Sequence, residues 1–355
     1  MKTIKSIEQI DSFHQDTIHD ISFDWYGKKI ATCSSDHKVK IWVRNSDDKW
    51  VAEGELPAPH NAPIWKVKWA HPDYGTVLAT CSFDKTVKIW EQTKEYIVSE
   101  KEKDSKPVQA ISWMMRGSIS EGNENIEDIK FAPKHKLLEG MTLCTVSSKG
   151  NLRIYTFETP ACWQITSKIL VNKAGLNAVS WNKNQFTPPI LAVGCKDEIT
   201  EKTQQENSKI EEEKIGPQEV VNGYIGLYAL KGSSCELIKN FPGKDSKFHK
   251  KAVYDVSFSL LNGRSYDLLS SCGKEGLVVW YLDYDSTTNS MKVLNVIELD
   301  VGKAVYWKVC WNIMGTILAS SNESNQITLW KNIGDDYFKQ VGLITDDGKE
   351  EKKTQ

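Results

Sequence analysis

No apolar run in this chain approaches the ~20 residues that a helix needs to cross a bilayer. The opening residues, MKTIKSIEQIDSFHQDTIHD, lack the roughly 7–15-residue apolar core of a secretory signal. Neither charge sign is in excess: 45 basic side chains stand against 47 acidic ones, a net charge of −2, so bulk basicity gives no argument for direct nucleic-acid binding. The eight cysteines are scattered singly at 33, 81, 144, 162, 195, 235, 272 and 310, with no Cys-x-x-Cys. Such spacing favours reduced thiols acting as small core residues over a disulfide framework, and we expect an intracellular protein. The signatures of chemistry are missing too: no G-x-x-x-x-G-K-[ST] phosphate loop, no G-x-G-x-x-G, no H-E-x-x-H and no G-x-S-x-G. His71 and His135 flank two distinctive turns and are expected to be exposed on one rim, but no third ligand completes a metal site with them. No catalytic residue, metal or cofactor is therefore expected.

What the chain has is aromatics, with 13 Trp, 12 Tyr and 10 Phe, and an internal repeat. Ile18–Trp42 (IHDISFDWYGKKIATCSSDHKVKIW) and Ile64–Trp90 (IWKVKWAHPDYGTVLATCSFDKTVKIW) share one grammar. An alternating strand ends in an aromatic, a turn leads to a small-residue strand, and a Ser/Asp turn leads to a strand closed by Trp. Copies follow at Ile126–Tyr155, Leu176–Tyr228, Val253–Trp280 and Val305–Trp330. The closing aromatics stand at 42, 90, 155, 228, 280 and 330. Their shorter spacings are slightly above the ~40–45 residues of a WD-type propeller blade, and the longer ones contain insertions.

A further apolar stretch after each closing aromatic supplies a fourth strand: Trp50–Leu56, Ala110–Ile119, Cys162–Leu170, Cys235–Phe241, Met291–Leu299 and Tyr337–Ile344. Val108–Trp113 imitates a blade's first strand, but no small-residue strand follows it, so it belongs to the outer strand of blade two. The reading is an all-β, WD40-type β-propeller of six four-stranded blades over residues 13–345. Stacking around a ring is the only way each blade can bury both faces, which accounts for apolar segments such as ILAVGC and TILAS.

His14, His60 and His249 each stand four residues before a blade's first strand. Asp36 and Asp84 occupy the turns before Trp42 and Trp90. With Trp280 and Trp330 these residues resemble the WD-repeat hydrogen-bond network, in which a loop His, a turn Asp, a strand Ser/Thr and the closing Trp satisfy one another. They are expected to be structural. Val301 stands where the last copy would have its His.

The last blade has its own outer strand, so Thr3–Ile10 (TIKSIEQI, residues 1–12 overall) is an extra strand. Two readings stay open on spacing alone: a strand lining a gap in an open ring through Ile4, Ile7 and Ile10, or a segment that packs on blade six as a fifth strand or frays. An open edge invites strand addition by a partner. The acidic insertion at 197–222, the run Glu100–Lys106 and the tail 346–355 are too polar and charged for a core and are expected to be disordered.

The segments IHDISFDWYGKKIATCSSDHKVKIW, VKWAHPDYGTVLATCSFDKTVKIW, IKFAPKH and VCWNIMGTILASS together resemble the Seh-type WD-repeat nucleoporins, relatives of Sec-thirteen. The likeness spans all six blades, and the AHPDYG and FAPKH turns are its most specific parts; the Asn322–Asn325 turn departs from it. The resemblance implies an open propeller completed by a blade from an α-helical scaffold nucleoporin, within the Y-shaped outer-ring complex of the nuclear pore at the nuclear envelope. It also implies a vacuole- or lysosome-associated complex that regulates TOR signalling, on the cytoplasmic face of that organelle. The alternatives are a Sec-thirteen-like vesicle-coat subunit and a generic WD-repeat adaptor that binds peptides.

Overall fold

The computed structural model describes residues 10–97, 108–120, 122–158, 162–197, 225–241, 249, 251–260, 263–301, 304–334 and 337–344. Apart from one 3-10 turn at Pro72–Tyr74, its regular elements are all strands. They form six four-stranded antiparallel sheets, each an up-and-down meander in chain order. The innermost strands are Ile18–Phe23, Ile64–Trp69, Ile126–Phe131, Leu176–Trp181, Val253–Phe258 and Tyr306–Trp311. The outer strands run Trp50–Glu55, Val108–Ser120, Cys162–Leu170, Ser234–Phe241, Ser290–Val301 and Phe338–Ile344. The stretch beginning at Val108 thus pairs within blade two, against Thr86–Ile97. Six blades of four strands make this a β-propeller.

Register repeats as faithfully as sequence. Each closing aromatic sits opposite an Ile or Leu of the second strand: Trp42 on Ile30, Trp90 on Leu78, Tyr155 on Leu143, Tyr228 on Leu191, Trp280 on Leu269 and Trp330 on Leu318. Every innermost strand is irregular at its second residue, and the third residue of blades one, three and five reaches the following blade. Second strands in blades two to five are buried along their whole length, as strands covered on both faces must be. Gly150 turns between the second and third strands of blade three at φ 87, and a Cβ there would stand 1.6 Å from the Asn172 carbonyl oxygen.

Five apolar cores hold the blades together, one between each successive pair from one and two through five and six. In each, residues such as Ala79, Cys81, Val87 and Ile89 of one blade meet those such as Ile126 and Ile129 of the next. Polar staples reinforce alternate interfaces. The carboxylates of Asp20, Asp128 and Asp255, third residues of innermost strands, accept the backbone N–H of Val67, Val179 and Val309 in the following blade at 3.1, 3.2 and 3.1 Å.

A belt of turns joins the same blades on one rim. Trp25 packs edge-on against His71; Tyr74 donates to the Gly140 carbonyl and Asp73 pairs with Lys134. His135 donates through Nε2 to the Thr187 carbonyl at 2.8 Å, Asn182 and Asn184 donate to Asp267, and Arg264 donates to the Gly315 carbonyl. This gives the AHPDYG and FAPKH turns a purpose, and it corrects one expectation. His135 is buried rather than exposed, because its ring bridges blades three and four while its Nδ1 accepts from Leu137 N–H, and His71 is half-buried against Trp25.

Asp128 is fully buried: burial opposes its ionisation, yet the amines of Lys130, Lys66, Lys308 and Lys68 hold it below the usual carboxylate range. Asp128→Ala strands the Val179 N–H and removes the counter-charge of those amines. Urea unfolding should show a loss of about 2–4 kcal/mol, and an unchanged midpoint would remove the staple from the account.

Candidate functional site at the terminal blades

Among the described residues no sixth core joins blade six to blade one. The contrast is sharpest position by position. The fourth residue of the innermost strand is buried in blades two to six, as Val67, Ile129, Val179, Val256 and Val309, but its blade-one counterpart Ile21 is 54% exposed. Phe23, two residues on, is 58% exposed. On the opposite wall, Val39, Val87, Leu152, Ile225 and Leu277 are buried in blades one to five, whereas the blade-six equivalent Ile327 is 42% exposed. Ala319, Ser321 and Leu329 beside it are half-buried, although Ala31, Cys33 and Ile41 at the same places in blade one are fully buried. Cys310 of the innermost strand of blade six is exposed as well. Deeper in blade one, Ile30 and Trp42 remain buried.

Exposed apolar side chains continue onto the turns beside these walls: Trp25 and Tyr26 in blade one, Ile313, Met314, Ile333 and Tyr337 in blade six. Apolar surface of this kind on two walls is this chain's candidate for an interaction site. Local sequence does not reveal it, because IHDISF has the same alternation as the buried IWKVKW. The adjacent aromatics of the DWYG turn were the available signal. Of the N-terminal candidates, Ile4 and Ile7 lie outside the described residues; Ile10 is half-buried and belongs to no strand. The insertion at 197–222 is described only at Asp197, whose carboxylate pairs with Lys274 and accepts from Ala252 N–H. The run 100–106 and the tail 346–355 also lie outside the described residues.

The histidines, aspartates and tryptophans form relays inside the blades. In blade one Trp42 Nε1–H donates to Thr32 Oγ1 at 3.2 Å, Thr32 meets His14 Nε2 at 2.9 Å, and His14 Nδ1 meets Asp36 at 2.8 Å. Blade two repeats this with Trp90, Thr80, His60 and Asp84 at 3.1, 2.8 and 2.8 Å. Blade five keeps Trp280, Ser271 and His249 but has no turn Asp, and among the described residues the buried His249 Nδ1 is without a hydrogen-bond partner. In blade six Trp330 donates to Ser320 at 3.0 Å. Blade three uses a different chemistry that the histidine pattern could not show: Glu124 accepts from Ser147 and Asn151 and pairs with Arg153 at 2.9 Å. These groups are consumed by structure, and no group of three or more potential metal ligands occurs among the described residues.

Comparison with known proteins matches the WD domain, G-beta repeat family at residues 6–43 and 54–91, the first two blades. Over nearly the whole chain the similarity is to nucleoporins. Nucleoporin SEH1-A of Xenopus laevis is 30% identical over 348 residues, covering 94% of this chain and 87% of its own length. The chain belongs to the SEH1 nucleoporin family. Nucleoporin seh1 of Drosophila melanogaster is 32% identical over 331 residues, with 92% and 84% coverage. Nucleoporin SEH1 of Homo sapiens is 30% identical over 351 residues, with 94% and 87% coverage.

The incomplete relay of blade five sets a pH dependence. Burial pushes His249 down from 6.5 to about 4. The unfolded chain therefore takes up its proton first, and stability present above pH 6.5 is lost as pH falls toward 4, by about 3 kcal/mol from this residue. His60, also lowered chiefly by burial, adds a change of the same sign. Urea titrations between pH 7 and 4.5 should show this slope, and His249→Gln should flatten it; an equal slope in the variant would assign it elsewhere.

Proposed function

We propose that the chain is a non-enzymatic scaffold subunit of the nuclear pore, and that its terminal blades receive a blade inserted by an α-helical scaffold nucleoporin of the Y-shaped outer-ring complex. The observation that carries this reading is the exposure of Ile21, Phe23 and Ile327 at positions that are buried or half-buried in the other blades. Fully burying one such side chain stabilises by about 1.5–3 kcal/mol, so a partner filling both walls gains substantially from apolar contact alone. Strand addition suits the geometry, since main-chain pairing supplies affinity while alternate side chains fill the wedge. Membership in the SEH1 nucleoporin family supports the pore as the location. The engagement of His14, Asp36, His60 and Asp84 in internal relays supports the non-enzymatic reading.

The same walls would serve a vacuole- or lysosome-associated TOR-regulating complex or a Sec-thirteen-like coat, and the identity of the co-purifying chain separates these assemblies. In the Ile21→Asp, Phe23→Asp, Ile327→Asp triple variant, capture of the helical nucleoporin should fall at least about tenfold, since each charged side chain would be buried unpaired. Circular dichroism should remain that of the wild type. An adaptor that reads peptides elsewhere would be monodisperse alone and indifferent to these substitutions, which would refute the scaffold reading. Ile4→Asp, Ile7→Asp, Ile10→Asp tests whether the N-terminal segment shares the interface: capture falls if it does and is unchanged if it does not.

A further inference from the structure

The six innermost strands place register-equivalent side chains around the axis in levels. The third-residue level holds Asp20, Lys66, Asp128, Ala178, Asp255 and Lys308. Its three carboxylates are the blade staples, and two also pair with lysines: Asp20 with Lys68, Asp255 with Lys308 at 3.6 Å. That these groups share one central space follows from their influence across the ring. Lys308 of blade six acts on Asp20 of blade one and Asp128 of blade three.

The fifth-residue level has a different chemistry. It holds Ser22, Lys68, Lys130, Ser180, Ser257 and Cys310. No residue of this level carries a carboxylate; its side chains are ammonium, hydroxyl and thiol, all able to donate. Ser180 Oγ already accepts from Phe258 N–H, which leaves its hydroxyl proton to donate. Lys183, just past the blade-four strand, adds another ammonium near Lys130 and Cys310. Its side chain reaches solvent, yet enough protein surrounds the amine to push it below the ordinary lysine range, burial being the main cause. Among the described residues Lys130 and Lys183 have neither an ion-pair nor a side-chain hydrogen-bond partner. Around the axis, five ammonium groups (Lys66, Lys68, Lys130, Lys183 and Lys308) face three carboxylates, a surplus of two positive charges in a chain whose net charge is −2. Clustered cations without protein partners attract a counter-ion.

We propose that this carboxylate-free ring, at the pole of the channel nearer the AHPDYG and FAPKH turns, binds a phosphate group, either as the free ion or carried on a peptide. A phosphate dianion matches the surplus charge and offers acceptor oxygens to Lys130, Lys183, Ser180 and Ser257 together. Isothermal titration of the full chain with sodium phosphate, against sodium chloride at matched ionic strength, tests it. A phosphoserine peptide and its unphosphorylated twin form the second arm. Saturable phosphate binding is expected, weakened at least about tenfold in Lys130→Gln/Lys183→Gln and unchanged in Lys149→Gln, an exposed lysine outside the channel. Phosphopeptide binding tighter than free phosphate assigns the carried form, and binding no tighter assigns the free ion. Should the double variant fail to fold, Lys183→Gln alone carries the test. Phosphate heats no larger than those of chloride, or wild-type affinity in the folded variants, would overturn the proposal.

Discussion

Everything in this molecule depends on one constraint: a blade is a sheet with two faces, and neither can be left in water without cost. The chain answers it five times, by pressing Ala, Cys, Val and Ile of the second and third strands against the innermost strand of the next blade. The belt of rim turns acts on those same five interfaces, and carboxylate staples on three of them. At the sixth position around the ring the described residues show exposure where the other blades show burial. A closed ring needs as many interfaces as blades, and the family's WD grammar is spent on building blades rather than on sealing them.

The relays show how loosely sequence chemistry is tied to structural role. Trp, Thr, His and Asp form an unbroken chain in blades one and two. Blade five tolerates a missing Asp by keeping His249 neutral in a buried site. Blade three discards the histidine for Glu124, which is held ionised by Arg153, Ser147 and Asn151 against the opposing effect of burial. Each solution ties the turn to the strand that follows it, which is what the blade requires.

Much of this was legible in the residues. The phase of the repeat located all four strands of each blade, including the outer strand at Val108 that imitates a first strand, because periodicity and small-residue strands are local properties. The rim interactions of His135 were not legible: its partner, the Thr187 carbonyl, is 52 residues away and carries no side-chain signature. The exposed walls were hidden for a similar reason. Ile21 and Val67 occupy the same place in the same pattern, and only the neighbouring blade distinguishes them. The carboxylate-free level of the channel likewise appears only when the register of six strands is laid side by side.

The most direct test of the proposed interface at the terminal blades is hydroxyl-radical footprinting of Ile21, Phe23 and Ile327 in the chain alone and in complex with the proposed helical nucleoporin. The account predicts heavy labelling of all three in the free chain, well above that of Val67 and Val87, and strong protection in the complex. Low labelling in the free chain, equal to that of the buried counterparts, would contradict it.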